Sequence, residues 1–116
     1  MIGREILKVI RERKTADHQF IKWWRKEEDW LDYDLIDTFM ESADPNEEID
    51  GFELVTMDGM WDSLVKATSG RVEREKRRGE EVIVWRKKSG EEQVCQFNAE
   101  SVMTIFDVET HGDVID

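Results

Sequence analysis

Fourteen Asp or Glu side chains stand between Glu27 and Asp62, and no Lys or Arg interrupts them. Carboxylates at that density can hold a metal ion or present negative charge to a basic partner. A calcium-type loop needs oxygen ligands at alternating positions, a central Gly and a closing Glu. Asp32-Tyr33-Asp34-Leu35-Ile36-Asp37 contains no Gly and turns apolar where ligands would have to stand, so no metal site is expected. What remains is a surface that imitates nucleic-acid phosphate or docks into a basic groove. The candidate partner-binding residues are Glu27, Glu28, Asp29, Trp30, Asp32, Tyr33, Asp34, Asp37 and Glu41. Trp30 and Tyr33 belong to this set because stiff aromatics with a polar tip are enriched at binding hot spots. The competing reading makes the acids the solvated faces of helices and a loop, with Trp30 and Leu31 plugging a joint.

Other reactive residue types are sparse. Cys95 would need a base to act as a nucleophile, and neither His18 nor His111 carries a local signature for that role. The fragment Glu12-Arg13-Lys14 matches part of a metal-dependent nuclease motif but lacks the preceding Asp on a strand. No Walker A, Gly-rich phosphate loop or Gly-x-Ser-x-Gly is present. The expectation is a protein that is not an enzyme, with no cofactor and no evident small-molecule substrate. Arg71 to Arg78 is strongly basic and could contact phosphate. The interleaved Glu73 and Glu75 are better explained as helix-supporting charge pairs.

Charge is segregated along the whole chain. Residues 1–26 hold eight bases against three acids, residues 63–90 hold nine against four, and residues 91–116 hold seven acids and no base. The net charge of −11 therefore comes from two blocks rather than from an even excess. A local field of that kind raises encounter rates with basic partners. A homodimer joined through opposite-charge blocks is the other arrangement it permits.

The chain has 116 residues, near the commonest size for one domain. With 39% apolar residues and five Trp it is expected to fold rather than remain disordered. A single cysteine excludes an internal disulfide. The N-terminus leads into a charged helix rather than a secretory apolar core, and no apolar run approaches the ~20 residues that span a bilayer. A soluble cytoplasmic protein without membrane association is expected.

The elements that must position the acids can be read from periodicity. Ile2, Ile6, Leu7, Val9 and Ile10 share one helical arc opposite Arg4, Lys8 and Arg11. Asp17 is placed to cap a second helix, with Phe20, Ile21, Trp23 and Trp24 on one face. Prolonging it would bury Glu28 and Asp32, so a break is predicted near residues 28–33. A third helix follows, capped by Asp32 or Asp34, with Leu35, Ile36, Phe39 and Met40 inward and Asp34, Asp37 and Glu41 outward. Pro45 is the candidate break between halves. Residues 52–57 read as a short strand, Asp58-Gly59 as a turn, and a helix starts at about residue 60, burying Trp61, Leu64 and Val65. Arg71 to Arg78 extends it or forms a loop. Val82 to Trp85 and Val94 to Phe97 flank Lys88-Ser89-Gly90-Glu91 as a hairpin. Asn98-Ala99-Glu100 reads as a turn and residues 102–108 as a third strand.

The predicted fold is α+β: N-terminal helices packed on a small antiparallel sheet of three to four strands in the C-terminal half. It is expected as one domain, with a helical half over about 1–44, a strand-containing half over about 50–108 and an acidic tail over 109–116. A small, acidic, Trp-rich chain without a catalytic motif has the character of phage and mobile-element antagonists and of toxin-immunity proteins, by analogy of composition. The leading expectation is an inhibitor that occupies the charged groove of a basic, nucleic-acid-handling protein. The alternatives are an immunity protein or adaptor whose partner does not handle nucleic acid, and a small enzyme or nucleic-acid binder using Arg71 to Arg78.

Overall fold

The computed structural model describes residues 2–25 and 31–111. Among them are four helices and two three-stranded antiparallel sheets, an α+β fold. The chain divides into two compact units, Met1–Met57 and Asp58–Asp116.

The first unit opens with α1 (Gly3–Arg13), whose Ile6 and Ile10 are buried while Arg4, Lys8 and Arg11 are exposed, as periodicity predicts. Its N-terminus is tied to a later loop. The Gly3 N–H donates to the Glu47 carbonyl at 2.8 Å and the Arg4 N–H to the Pro45 carbonyl at 3.2 Å. Pro45, the expected break between halves, therefore lies inside this unit. A methyl group on Gly3 would overlap the Asp44 carbonyl oxygen, which is backbone and cannot swing aside. Gly3→Ala is accordingly expected to cost about 1–3 kcal/mol, as overpacking does, seen as a lower urea midpoint at unchanged slope.

The second predicted helix is instead a strand, β1 (His18–Trp24), paired with β2 (Asp32–Leu35) and β3 (Gly51–Thr56) in the order β2-β1-β3. Phe20, Ile21, Trp23 and Trp24 satisfy a helical arc, yet aromatic and β-branched residues also fit a pleated surface. In the strand, Phe20 and Ile21 leave on opposite faces and both are buried. A strand covered on both faces loses the alternation that would have betrayed it. The third predicted helix is also divided. Residues 32–35 form β2, and α2 runs only over Ile36–Ser42, preceded by Leu35 with no side-chain cap. Neither Asp32 nor Asp34 caps it. Ile6, Ile10, Ile21, Ile36, Phe39 and Ile49 form one core cluster, with the Trp23 and Phe39 rings 5.1 Å apart.

The second unit contains α3 (Met57–Ala67, beginning at the unit boundary), β4 (Val72–Arg77), β5 (Glu80–Arg86), β6 (Glu92–Gln96) and α4 (Ala99–His111), with sheet order β4-β5-β6. Asp58 and Gly59, expected as a turn, lie inside α3, where Asp58 complements the positive N-terminal end of the helix. Met60 and Leu64 are its buried residues, while Trp61 and Val65 are half-buried. The basic stretch is neither helix nor loop. It forms β4, joined to β5 by Arg78-Gly79, both at positive φ (53° and 80°) as a two-residue hairpin turn requires. Opposite charges then face each other across the ladder: Lys76 opposes Glu81 and Arg77 opposes Glu80. The β5–β6 hairpin forms where expected, with Val84 opposite Val94 and Ile83 opposite Cys95.

Residues 102–108, expected as a strand, belong to α4. The Asn98 side chain accepts the Ser101 N–H at 2.8 Å, so Asn98-Ala99-Glu100 is a helix start rather than a turn. Val102, Ile105, Phe106 and Glu109 recur at helical spacing and are all buried. No helix among the described residues is long and apolar enough to cross a membrane.

Candidate functional site

The candidate partner-binding residues separate into three groups. Glu27, Glu28, Asp29 and Trp30 lie outside the described residues. Asp32, Tyr33 and Asp34 are half-buried on β2, an edge strand. Asp37 and Glu41 are exposed, one helical turn apart on α2.

Asp34 corrects its predicted position on the outer face of a helix. It opposes Ile21, which itself opposes Leu54, so its side chain leaves on the face of the sheet that carries the core. There it lines a cavity of about 110 Å³ together with Arg25, Trp23 and Phe39. Burial pushes its pKa up, and the Leu35 N–H donating to Oδ1 at 2.8 Å offsets this only in part. The folded state thus holds its proton more tightly than the unfolded chain does. Stability falls as pH rises from the unfolded carboxyl value through the folded one. Asp34→Asn, which keeps an oxygen acceptor for Leu35, is expected to be more stable than wild type at neutral pH. The advantage should vanish below the unfolded carboxyl pKa, as urea unfolding over a pH series would show.

The exposed carboxylates are continuous along α2 and the loop after it. Asp37, Glu41, Asp44, Glu47, Glu48 and Asp50 are all exposed, and no base occurs between residues 37 and 50. Lys14 Nζ stands 3.6 Å from Asp37, Arg25 pairs with Glu47, and Lys22 reaches Glu53 at 2.9 Å. Among the described residues no cation pairs with Glu41, Asp44 or Glu48. The last turn of α2 holds Glu41 and no base, although the helix dipole favours a cation there. Asp37 and Glu41 are also a like-charge pair at i,i+4, unfavourable by a few tenths of a kcal/mol. Glu41 and Glu48 thus gain no ion pair within the described residues, and Glu41 opposes the helix dipole.

The basic stretch is mostly consumed internally. Arg77 Nε donates to Glu75 at 2.9 Å. Arg74 stands 3.5 Å from Glu81 and its guanidinium lies 4.1 Å from the Phe97 ring centroid. Arg71 grips Glu109 with two N–H groups, one at 3.1 Å, and also donates to the Arg86 carbonyl at 2.7 Å. Trp85 Nε1–H donates to the same Glu109 carboxylate at 2.9 Å. Glu109, grouped with the acidic tail by sequence, is a buried residue of α4. Burial would raise its pKa. The hydrogen bonds from Arg71 and Trp85, with the charges of Arg71 and Lys88, outweigh that and hold it below the ordinary carboxylate value. One signal in sequence pointed to this: Glu109 continues the apolar spacing of Val102, Ile105 and Phe106.

Cys95 is half-buried on β6, with the Gln93 amide 3.6 Å from its Sγ. His18 Nδ1 lies 3.1 Å from the Thr15 hydroxyl. Among the described residues no group of three or more His, Cys, Asp or Glu side chains is placed to hold a metal ion. No family model, no curated protein and no solved structure matches this chain.

Proposed function

We propose that this chain is a non-enzymatic, cytoplasmic binding protein that inhibits a basic, nucleic-acid-handling protein by occupying its charged groove, as phage and mobile-element antagonists do. One observation carries the reading. α2 and the loop after it expose six carboxylates without an intervening base, three of them without a cation among the described residues, and Glu41 opposes the helix dipole at the C-terminal end of α2. Exposed carboxylates left without a cation are explained by a partner that supplies one. Asp37 and Glu41 are separated by one turn, a rise of about 6 Å. The pair therefore presents two like charges on one exposed face of α2 to a basic groove. The pairing of Arg71, Arg74 and Arg77 within the chain favours this reading over direct nucleic-acid binding.

The test is capture from a nuclease-treated lysate followed by competition. Capture is expected to survive nuclease and to weaken steeply between about 50 and 500 mM salt, a range that shortens the Debye length several-fold. The purified partner should lose its nucleic acid when this protein is added. A ternary complex, with protein and nucleic acid bound to the partner together, would rule out groove occupation.

A further inference from the structure

The sheet β4-β5-β6 has two edge strands, β4 and β6, and among the described residues no further strand pairs with either. Unpaired edges are templates for another chain. In an antiparallel ladder, residues alternate between bonding the neighbouring strand and turning their N–H and C=O groups away from it. On β4 the Arg86 N–H donating to the Arg71 carbonyl at 2.9 Å fixes the phase. Glu73, Glu75 and Arg77 therefore bond β5, and Val72, Arg74 and Lys76 turn their backbone groups to the open edge. On β6 the phase is fixed by the Lys87 N–H donating to the Glu91 carbonyl at 2.9 Å and the Phe97 N–H to the Glu81 carbonyl at 3.1 Å. Gln93 and Cys95 bond β5, and Glu92, Val94 and Gln96 face outward.

The two edges differ in how they meet a copy of themselves. Antiparallel pairing joins outward residue to outward residue. On β4 a two-fold axis at Arg74 sets Arg74 against Arg74 and Glu73 against Glu75. Sliding the copy by two residues either way sets Glu73 against Glu73 or Glu75 against Glu75. Like charges directly opposed are unfavourable, so β4 is guarded against its own copy. β6 carries no such guard. A two-fold axis at Val94 sets Val94 against Val94, Glu92 against Gln96 and Gln93 against Cys95. No like charges meet, and an amide stands opposite each carboxylate. Val94 is 44% exposed, yet it lies directly across from the buried Val84. Pairing at β6 prolongs that valine row through both copies.

We propose that β6 is the dimer edge of this protein: two copies join their β6 strands antiparallel about a two-fold axis at Val94, fusing two three-stranded sheets into one. The association uses neither the acidic face of the first unit nor opposite-charge blocks. Both copies carry a net charge of −11, so salt should strengthen the dimer while it weakens capture of a basic partner. One strand pair buries less than a standard interface, so the dimer is weak and reversible.

Sedimentation between about 10 µM and about 1 mM, the range of weak interfaces, is expected to show a reversible passage from one chain to two. Over that span amide exchange at Glu92, Val94 and Gln96 should slow about fivefold or more, while Arg74 and Lys76 stay unchanged. Val94→Lys opposes two ammonium groups at an exposed position; with its spectrum otherwise native, it should stay monomeric. Glu73→Gln, which changes net charge equally at the other edge, should dimerise like wild type. Gln96→Glu should weaken the dimer about tenfold, because the symmetry repeats each like-charge pair. Adding Glu92→Gln should restore it, since each pair again holds one amide and one carboxylate. The proposal is overturned by a single-chain mass at every concentration, by species larger than a dimer, or by a dimer whose β6 amides are not slowed. It is equally overturned if Val94→Lys dimerises like wild type, if Glu73→Gln does not dimerise, or if Glu92→Gln fails to rescue Gln96→Glu.

Discussion

Arg71→Ala is expected to destabilise the protein by about 3–5 kcal/mol, the cost of removing one partner from a buried ion pair. The Glu109 side chain is only 3% exposed and relies on two guanidinium N–H groups and the Trp85 indole for its solvation. Removing Arg71 leaves a carboxylate that must take up a proton or admit water. The effect has a defined pH dependence. Because the wild-type Glu109 pKa is depressed, its contribution is complete above the unfolded carboxyl value and is lost as pH falls through the lower folded value. The gap between wild type and Arg71→Ala in urea unfolding should therefore be widest near neutrality and narrow in acid. The double variant Arg71→Met, Glu109→Met should recover most of the loss, since an apolar pair of similar volume replaces a buried ion pair at little cost. A single Arg71→Ala variant within about 1 kcal/mol of wild type at neutral pH would mean that water reaches Glu109 and that the pair does not hold α4 to the sheet.

Reversing Asp37, Glu41 and Glu48 to Lys is expected to abolish partner binding while leaving the melting temperature unchanged or higher. All three are exposed. Among the described residues the one ion pair these three make, Lys14 with Asp37, is a solvent-exposed pair at 3.6 Å, worth little to folding. Lys at position 41 would complement the helix dipole that Glu41 opposes. Asp34 is left out of the set because it is half-buried against the core face of its sheet. The control reverses Glu73, Glu80 and Glu92, exposed acids of the second unit that alter net charge equally. Loss of binding in both variants would assign recognition to bulk charge. Retention in both would reduce the acidic block to a solvated face and remove the basis for groove occupation.

Where sequence and structure part company, one physical cause recurs. α1 was legible because one of its faces meets solvent, so the apolar spacing of Ile6 and Ile10 is bounded by Arg4, Lys8 and Arg11. The β5–β6 hairpin was legible because Gly90, at φ 94°, marks its turn. β1 was misread because burial on both faces turns alternation into a run, and such a run fits either period. β4 was misread because its alternating signs suit i,i+4 helix pairs as well as cross-strand pairs. Only β5, distant in sequence until the turn at Arg78-Gly79 closes, decides between them. α4 is hidden in the sequence because Val102, Ile105 and Val108 favour strands, and Asn98 is as common in turns as at helix caps.

The candidate site divides the same way. Composition and order of charge are properties of the chain itself, so the sequence alone determined that a long segment is uniformly acidic and that the fold is α+β. Which acids remain without a cation was decided in three dimensions, because Lys14, Lys22 and Arg25 reach Asp37, Glu53 and Glu47 only through the packing of the first unit. Tertiary structure alone also moved Asp34 toward the core and buried Glu109 on Arg71 and Trp85. Each of those environments is made by residues remote in sequence, and burial, which sets the cost of a charge, does not exist until they meet.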